Sequence, residues 1–187
     1  MSHNIPAPKP RVLYLASQVD QGSINTISSA IIDINTNDEY IAKLAEIHGM
    51  SYKPSPILLY VDSYGGYVYQ CFGLLSIMKN SKIPIHTIVT GCAMSCGFLI
   101  AIAGHERYAY ENATFMYHQV SGGGHGKVKE VEEDLIEAKR LQKMLEDHTI
   151  ANTGLTRSQL KDNYEAKKDW YINTKEALKY KIIDGVI

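Results

Sequence analysis

The sequence has few cysteines, no long apolar run and almost no net charge, and each absence excludes a class of protein. Three cysteines in 187 residues, an odd number, argue against a disulfide framework and favour a reducing compartment. No apolar run approaches the roughly 20 residues that cross a bilayer. The net charge of −1 gives no electrostatic basis for binding nucleic acid or an anionic membrane. We therefore expect a cytoplasmic protein with neither of these partners.

The first ten residues contain three prolines and lack the charged and apolar regions of a secretory leader. We expect residues 1–10 to form a flexible N-terminal arm. The remaining residues, 11–187, are enough to bury a sizeable core, and a hydrophobic fraction of 45% with 21% charged residues is typical of a globular chain. The sequence therefore predicts one domain over 11–187.

Short apolar segments rich in β-branched residues alternate with segments of helical periodicity. The predicted strands are Val12–Leu15, Leu58–Val61, Ile85–Val89, Tyr108–Tyr110 and Thr114–Tyr117, and the first two predicted helices are Ser23–Asn35 and Tyr67–Met78. This alternation predicts an α/β fold with mainly parallel strand pairing.

The segment Gly91–Gly97 places a serine among small residues. It follows the β-rich run that ends at Val89 and precedes an apolar run that begins at Phe98, which predicts a strand, a sharp turn and a helix. Ser95 would then lie at a helix N-terminus, where free backbone N–H groups stabilise developing negative charge. This position suits a nucleophile with an oxyanion hole, although a plain N-cap serine also fits it.

Two later segments contain the side chains that an attacking serine needs. His118 ends a short aromatic strand, and Asp169 precedes two bulky aromatic residues near the C-terminus. A nucleophilic serine requires a base to take its proton, and the base requires a carboxylate that fixes its tautomer and stabilises its charged form. Ser95, His118 and Asp169 could fill these roles, and their spacing in the sequence leaves open whether they meet.

Cys92 and Cys96 are four residues apart, which raises the question of a metal site. A zinc site needs about four ligands, and no further histidine or cysteine pair stands nearby at a familiar spacing. We therefore expect no metal and no other cofactor.

Five segments, taken in their order, resemble the ClpP family, the proteolytic subunits of Clp proteases. They are Arg11–Asp20, Ile57–Gly66, Gly91–Gly97, Met116–Gln119 and Asp169–Ile187. They are similar, in turn, to the family's first core strand, its strand with a glycine-rich turn, its nucleophile segment, its histidine segment and its closing segment. Each motif is modest alone, but the ordered set covers nearly the whole chain and is specific.

The resemblance implies a serine endopeptidase that hydrolyses peptide bonds. It identifies Ser95 as the nucleophile, His118 as the general base and Asp169 as the orienting acid. It also implies that the backbone N–H groups of Gly66 and Cys96 form the oxyanion hole. A glycine at position 66 suits that role because the backbone there must approach the substrate closely.

The resemblance further implies a ClpP/crotonase-like fold with a protruding handle helix. The handle would occupy about residues 119–150, where apolar residues recur at three- and four-residue steps from Val128 to Leu145. Without the resemblance, that stripe would be expected to pack on the chain's own core. The implied assembly is a homo-oligomer of seven-membered rings stacked in pairs, with an internal chamber for unfolded proteins or peptides.

The sequence also departs from the family's pattern. Val120 stands where the family has a proline after His-Gln, and Tyr64 replaces the proline of the glycine-rich turn. Residues 40–54 resemble an insertion ahead of the second strand. The segment that forms the family's axial pore loops is expected to be short or absent, and Asn80 replaces an apolar residue that helps to dock the ATPase. These departures put coupling to an AAA+ Clp ATPase in question.

Three other functions remain open on the sequence alone. An α/β-hydrolase-type esterase would use a similar serine turn, with Asp134 or Asp147 as the acid, but its usual order is serine, acid, histidine. A crotonase-type acyl-CoA enzyme would share the fold without needing the three side chains. A non-catalytic or specialised processing subunit of a ClpP-type ring, for example one that matures an assembly protein, is the third.

Overall fold

The computed structural model describes residues 7–122 and 124–187, and its centre is a sheet of seven strands. The strands are β1 (Val12–Leu15), β2 (Ile57–Ser63), β3 (Ile85–Met94), β4 (Glu106–Ala109), β5 (Thr114–Tyr117), β6 (Trp170–Asn173) and β7 (Gly185–Val186). The path β1-β2-β3-β4-β7 is parallel throughout, β5 joins β3 in parallel, and β6 pairs with β5 in the antiparallel direction. The predicted α/β fold with mainly parallel pairing is therefore confirmed.

Six helices connect or flank these strands within the described residues. They are α1 (Gln21–Ile47), α2 (Val68–Asn80), α3 (Cys96–Ala101), α4 (Val128–Asn152), α5 (Arg157–Ala166) and α6 (Thr174–Lys179). One hydrophobic cluster joins the inward-facing residues of β1, β2 and β3 with the apolar faces of α1, α2 and α3. These three helices thereby bury apolar residues of the parallel sheet. No helix among the described residues is both long and apolar enough to cross a membrane.

The first helix extends well beyond its predicted end. The periodicity predicted a helix over Ser23–Asn35, whereas α1 continues to Ile47. The apolar periodicity is interrupted after Asn35, because the charged residue Asp38 occupies a buried position of the helix. The sequence pattern therefore did not indicate that the helix continues. Arg11 donates two hydrogen bonds to the Asp38 carboxylate, at 2.7 and 2.5 Å, so a buried charge is tolerated there. The insertion-like stretch is thus partly helix, and the loop before β2 starts at residue 48.

The predicted N-terminal arm over residues 1–10 falls mostly outside the described residues, which begin at residue 7. Residues 7–10 form neither helix nor strand. Lys9 makes an exposed ion pair of 2.9 Å with Asp33 of α1, which contributes little to stability because both groups are well solvated.

Strand β3 pairs with different neighbouring strands along its length. Its first half, up to Val89, pairs with β4, whereas Cys92 to Met94 pair with β5. The two halves separate around Gly91, where the backbone passes close to the Asp62 carboxylate. The last residues of β3 are therefore held between β2 and β5. Ser95 follows directly, at the carboxyl end of a parallel strand, which is where ligands usually bind in such sheets.

The apolar stripe of α4 is only half covered by the rest of the described chain. Leu141 and Leu145, in its second half, are 7% and 5% exposed and pack on the core. Val128 and Leu135, in its first half, are 75% and 54% exposed. The stripe therefore does not pack on the chain's own core along its whole length, and its N-terminal half presents apolar side chains to solvent.

Candidate active site

Ser95 lies in a sharp turn between β3 and α3, as its sequence context predicted. Its backbone has φ 54° and ψ −122°, a conformation that costs a residue with a side chain about 1–3 kcal/mol. The turn is held in place on both sides. The Ser95 N–H donates to the Met116 carbonyl at 2.9 Å, and the Ser95 carbonyl accepts from the Leu99 N–H at 3.2 Å. Strained strand–serine–helix turns of this kind present nucleophiles in other hydrolase folds.

The Gly65-Gly66 turn packs directly against Ser95. A Cβ atom at Gly65 would lie 2.7 Å from the Ser95 Cβ, and one at Gly66 would lie 2.3 Å from the Val19 carbonyl oxygen. Both glycines also have positive φ, 99° and 154°, which residues with a Cβ rarely adopt. Val19 holds the turn by donating to the Gly65 carbonyl and accepting from the Tyr67 N–H, both at 2.8 Å. The turn can therefore be built only with glycine.

The two residues predicted to form the oxyanion hole, Gly66 and Cys96, line the same groove as Ser95. The Cys96 thiol donates a 3.3 Å hydrogen bond to the Gly66 carbonyl, which ties the glycine turn to the start of α3. Cys96 begins α3, where a backbone N–H has no acceptor within the helix. The assignment of these two N–H groups to an oxyanion hole remains a prediction.

His118 and Asp169 lie at the same end of two paired strands. Strands β5 and β6 are antiparallel, and the last pair of their ladder is Tyr117 with Trp170. His118 directly follows the first of these residues, and Asp169 directly precedes the second. Three separate segments of the chain thus end at one edge of the sheet.

The three side chains are not hydrogen-bonded to one another. No hydrogen bond among the described residues joins Ser95, His118 and Asp169. Ser95 and His118 line one groove, whereas Asp169 is exposed and does not line it. Catalytic hydrogen bonds are often long or poorly aligned before substrate binds. The triad therefore remains a prediction.

The groove at Ser95 has a volume of about 690 Å³ and an apolar wall. Gly66, Ser95, Cys96 and His118 lie along one side of it. The first turn of α2 and the inner face of α4 form the other sides, with the apolar side chains of Val68, Val120, Val131, Leu135, Ala138, Leu141 and Leu145. A groove of this shape and lining suits an extended peptide with an apolar side chain.

A polar bridge crosses the mouth of this groove. The Tyr69 hydroxyl, at the start of α2, donates a 2.7 Å hydrogen bond to Oε1 of Glu137 on α4. Arg140 donates to both carboxylate oxygens of Glu137 at 2.7 Å. Arg140 first and Tyr69 second lower the pKa of Glu137 to about 2, although desolvation opposes them. The carboxylate is therefore charged at neutral pH and links the two walls of the groove.

The three cysteines are free and buried, and their thiols differ in chemistry. Burial, followed by the neighbouring Asp62, raises the pKa of Cys92 to about 11. The contact with Cys96 is the largest cause of a raised pKa at Cys71. Among the residues that the structure describes, no three His, Cys, Asp or Glu side chains form a group that could hold a metal ion.

Asp134 and Asp147, the two acids considered for an esterase, have different surroundings. Asp147 is paired with Lys143 and Arg157, both at 2.6 Å, and these two cations lower its pKa. Asp134 lines the groove that contains Ser95 and His118. Asp134 is therefore the acid that competes with Asp169 for the role of orienting the histidine.

Sequence reasoning did not find several residues that shape this site. Gly65, Val19 and the bridge between Tyr69 and Glu137 were not identified as site residues. The pair Gly65-Gly66 was visible as a turn, and its packing against Ser95 follows only from the fold. Tyr69 and Glu137 are 68 residues apart, and no local pattern signals such a contact.

Comparison with known proteins gives consistent similarities along nearly the whole chain. The sequence profile of the family described as Clp protease matches residues 9–187. A protein of Deinococcus radiodurans named ATP-dependent Clp protease proteolytic subunit is 28% identical, over 96% of this chain and 81% of its own. Its counterpart in Streptococcus mutans is 29% identical, over 96% of this chain and 85% of its own. A Synechococcus protein named ATP-dependent Clp protease proteolytic subunit 2 is 28% identical, over 96% of this chain and 84% of its own.

Proposed function

Because this chain belongs to the Clp protease family, we propose that it hydrolyses peptide bonds with a triad of Ser95, His118 and Asp169. The chain is a ClpP-like serine endopeptidase. The proposal assigns its chemistry to these three residues and to the backbone N–H groups of Gly66 and Cys96.

In the proposed reaction, the Ser95 hydroxyl oxygen attacks the peptide carbonyl carbon while His118 takes the hydroxyl proton. The N–H groups of Gly66 and Cys96 stabilise the oxyanion of the tetrahedral intermediate. His118 then donates the proton to the leaving amine, and an acyl ester on Ser95 remains. Water, deprotonated by His118, hydrolyses the ester. Asp169 keeps the imidazole in the required tautomer and stabilises its charged form.

The observation that carries this proposal is the meeting of three chain segments at one sheet edge. Ser95 directly follows β3 in a strained turn, and His118 directly follows β5. Asp169 directly precedes β6, whose first residue, Trp170, pairs with the last residue of β5. Backbone strain at a serine persists only where the surrounding structure enforces it, and such strain clusters at active sites.

The assembly is part of the proposal. We assign the exposed apolar half of α4 to contacts between rings, and the whole chain to seven-membered rings stacked in pairs. An enclosed chamber would admit unfolded proteins or peptides and exclude folded ones. An AAA+ Clp ATPase is the proposed partner that delivers unfolded chains, and the relatives' name, ATP-dependent Clp protease proteolytic subunit, supports this partner. Free, buried cysteines suit the reducing cytoplasm.

Labelling of the purified protein with a fluorophosphonate probe tests the assignment. We expect rapid labelling of the wild type, none in Ser95→Ala, and slow labelling in Asp169→Asn. An exposed aspartate on α5 provides the matched control, and Asp162→Asn is expected to label like the wild type. Labelling of Ser95→Ala at the wild-type rate would overturn the assignment of the nucleophile.

Asp134 supports a second candidate, because it lies in the same groove as Ser95 and His118. An esterase that used Asp134 as its acid would lose labelling in Asp134→Asn and keep it in Asp169→Asn. A non-catalytic ring subunit would assemble normally and label in none of the variants. The same experiment therefore separates these functions from the proposed triad.

A further inference from the structure

A buried glutamine holds the segment that follows His118. The Val120 N–H donates a 2.8 Å hydrogen bond to Oε1 of Gln142. Gln142 is only 9% exposed, and its Nε2 donates to Oε1 of Glu146 at 2.8 Å, one turn further along α4. The other carboxylate oxygen of Glu146 lies 3.5 Å from Nη1 of Arg157. A continuous chain of polar contacts therefore runs from the segment of His118 through α4 to the start of α5.

This chain of contacts restrains the backbone of His118 from its C-terminal side. On the N-terminal side, β5 is fixed between β3 and β6 up to Tyr117. The ladder ends there, and the next fixed point is the hydrogen bond of the Val120 N–H. Only His118 and Gln119 lie between the two fixed points, so the bond to Gln142 limits how far the His118 backbone can move.

The bond depends on the residue type at position 120. Proline has no N–H, so a proline at this position would leave Gln142 without a backbone donor. Val120 supplies a partly buried donor instead, and a buried donor without an acceptor is costly. Gln142 meets that need with one end of its amide while Glu146 satisfies the other end. Each end of the amide thus has a partner in a low-dielectric environment, where such networks are rigid.

We propose that Gln142 is a positioning residue for His118. Through the Val120 N–H, it restrains the histidine segment from α4, in place of the local stiffness that a proline at position 120 would provide. Gln142 does not touch the reacting atoms. The proposal rests on the proposed function, because it concerns the proton transfer assigned to His118.

The variant Gln142→Met tests this role, because methionine preserves length and apolar packing but accepts no such hydrogen bond. We expect kcat for a fluorogenic peptide and the rate of fluorophosphonate labelling to fall about tenfold, the factor that corresponds to leaving one partly buried N–H unpaired. We expect KM to change less than about twofold, since the groove lining near Ser95 is retained. Lys143→Met, one residue away on the exposed side of α4, is the matched control and should behave like the wild type.

A double-variant cycle distinguishes positioning from general damage to the fold. In a Val120→Pro background there is no N–H to satisfy, so adding Gln142→Met should lower kcat by less than about twofold. Equal losses in the two backgrounds would overturn the proposal, because the effect of Gln142 would then not pass through the Val120 N–H. A rise in KM with unchanged kcat would also overturn it.

Hydrogen exchange measured by mass spectrometry separates this inference from the proposed function. Exchange in a peptide that covers residues 118–121 should be faster in Gln142→Met than in the wild type, and unchanged exchange would overturn the inference. This readout needs no activity. If Ser95→Ala labels like the wild type, the proposed function fails, whatever the exchange result.

Discussion

His118 and Asp169 are the residues that directly flank the pair Tyr117–Trp170, the last pair of the antiparallel ladder between β5 and β6. The two residues are 51 positions apart in the sequence, and the register of β5 and β6 brings their backbones together. A shift of one residue in that register would turn the Asp169 side chain to the other face of the sheet. The pairing of these strands is therefore a condition for any triad at this edge.

Replacing the acid of the proposed triad should remove most of the activity. We expect Asp169→Asn to lower kcat about a thousandfold or more, because an asparagine favours the wrong tautomer of His118. KM should change little, since Asp169 does not line the groove. Steady-state kinetics on a fluorogenic peptide measures both constants. The exposed Asp162→Asn serves as the control, and an Asp169→Asn enzyme with wild-type kcat would show that another group orients His118.

A methyl group at Gly65 should disturb the nucleophile. The added Cβ of Gly65→Ala would lie 2.7 Å from the Ser95 Cβ, so the turn must shift and the positive φ becomes strained. We expect fluorophosphonate labelling to fall about a hundredfold and the melting temperature to drop. Gly73→Ala in α2 is the matched control, because no atom lies within 4 Å of its added Cβ. That control should be neutral or slightly stabilising, since alanine favours helix. A normally labelled Gly65→Ala protein would contradict the packing described for Ser95.

The bridge across the groove should affect substrate binding more than chemistry. Tyr69→Phe removes the hydroxyl that reaches Glu137 and leaves the ring in place. We expect KM for a peptide of several residues to rise about threefold with kcat nearly unchanged. The reason is that losing the hydrogen bond to Glu137 loosens one wall of the groove and leaves the reacting groups in place. Tyr40→Phe, on an exposed face of α1, controls for the loss of a hydroxyl elsewhere. A fall in kcat with constant KM would place Tyr69 in the chemical step instead.

The stability of the protein should decrease on acidification because of His148. Burial lowers the pKa of His148, and its hydrogen bond to the Leu99 carbonyl, at 3.0 Å, only partly opposes this. That carbonyl can only accept, so Nε2 carries the proton, and Nδ1 lies 3.2 Å from the Asn152 amide. Protonation of the folded form would bring two donors together at Nδ1. Burial and the contact with the Asn152 amide therefore favour the neutral imidazole in the folded protein.

The sign of this effect follows from proton binding. In the unfolded chain His148 has an ordinary pKa of about 6.5. Below that pH the unfolded chain binds a proton that the folded chain does not, so stability is present above it and falls as the pH decreases. Urea unfolding of the wild type and of His148→Gln, at about pH 7.5 and about pH 5.5, should show a larger acid loss in the wild type. Equal losses in the two proteins would contradict the assignment.

The sequence patterns predicted some elements well and others incompletely. Val12–Leu15 and Thr114–Tyr117 were predicted with their observed ends, because β-branched, aromatic and other apolar residues cluster there. Helix α1 was predicted too short, because the compensation of Asp38 by Arg11 and Tyr52 comes from distant parts of the chain. A charged residue on a buried stripe looks like the end of a helix until its partners are known.

At the candidate site, too, local sequence patterns predicted some features, and contacts between distant residues decided the others. Local residue types determined that Ser95 stands in a strand–turn–helix segment. They also determined that a glycine pair precedes it, and that a histidine and an aspartate follow it, in an order typical of the ClpP family. Only the tertiary structure decided the strain at Ser95, the pairing of the strands that end at His118 and begin after Asp169, the bridge from Tyr69 to Glu137 and the bond from Val120 to Gln142. Each of these depends on strand register and on the packing of α4, which join residues that no local pattern connects.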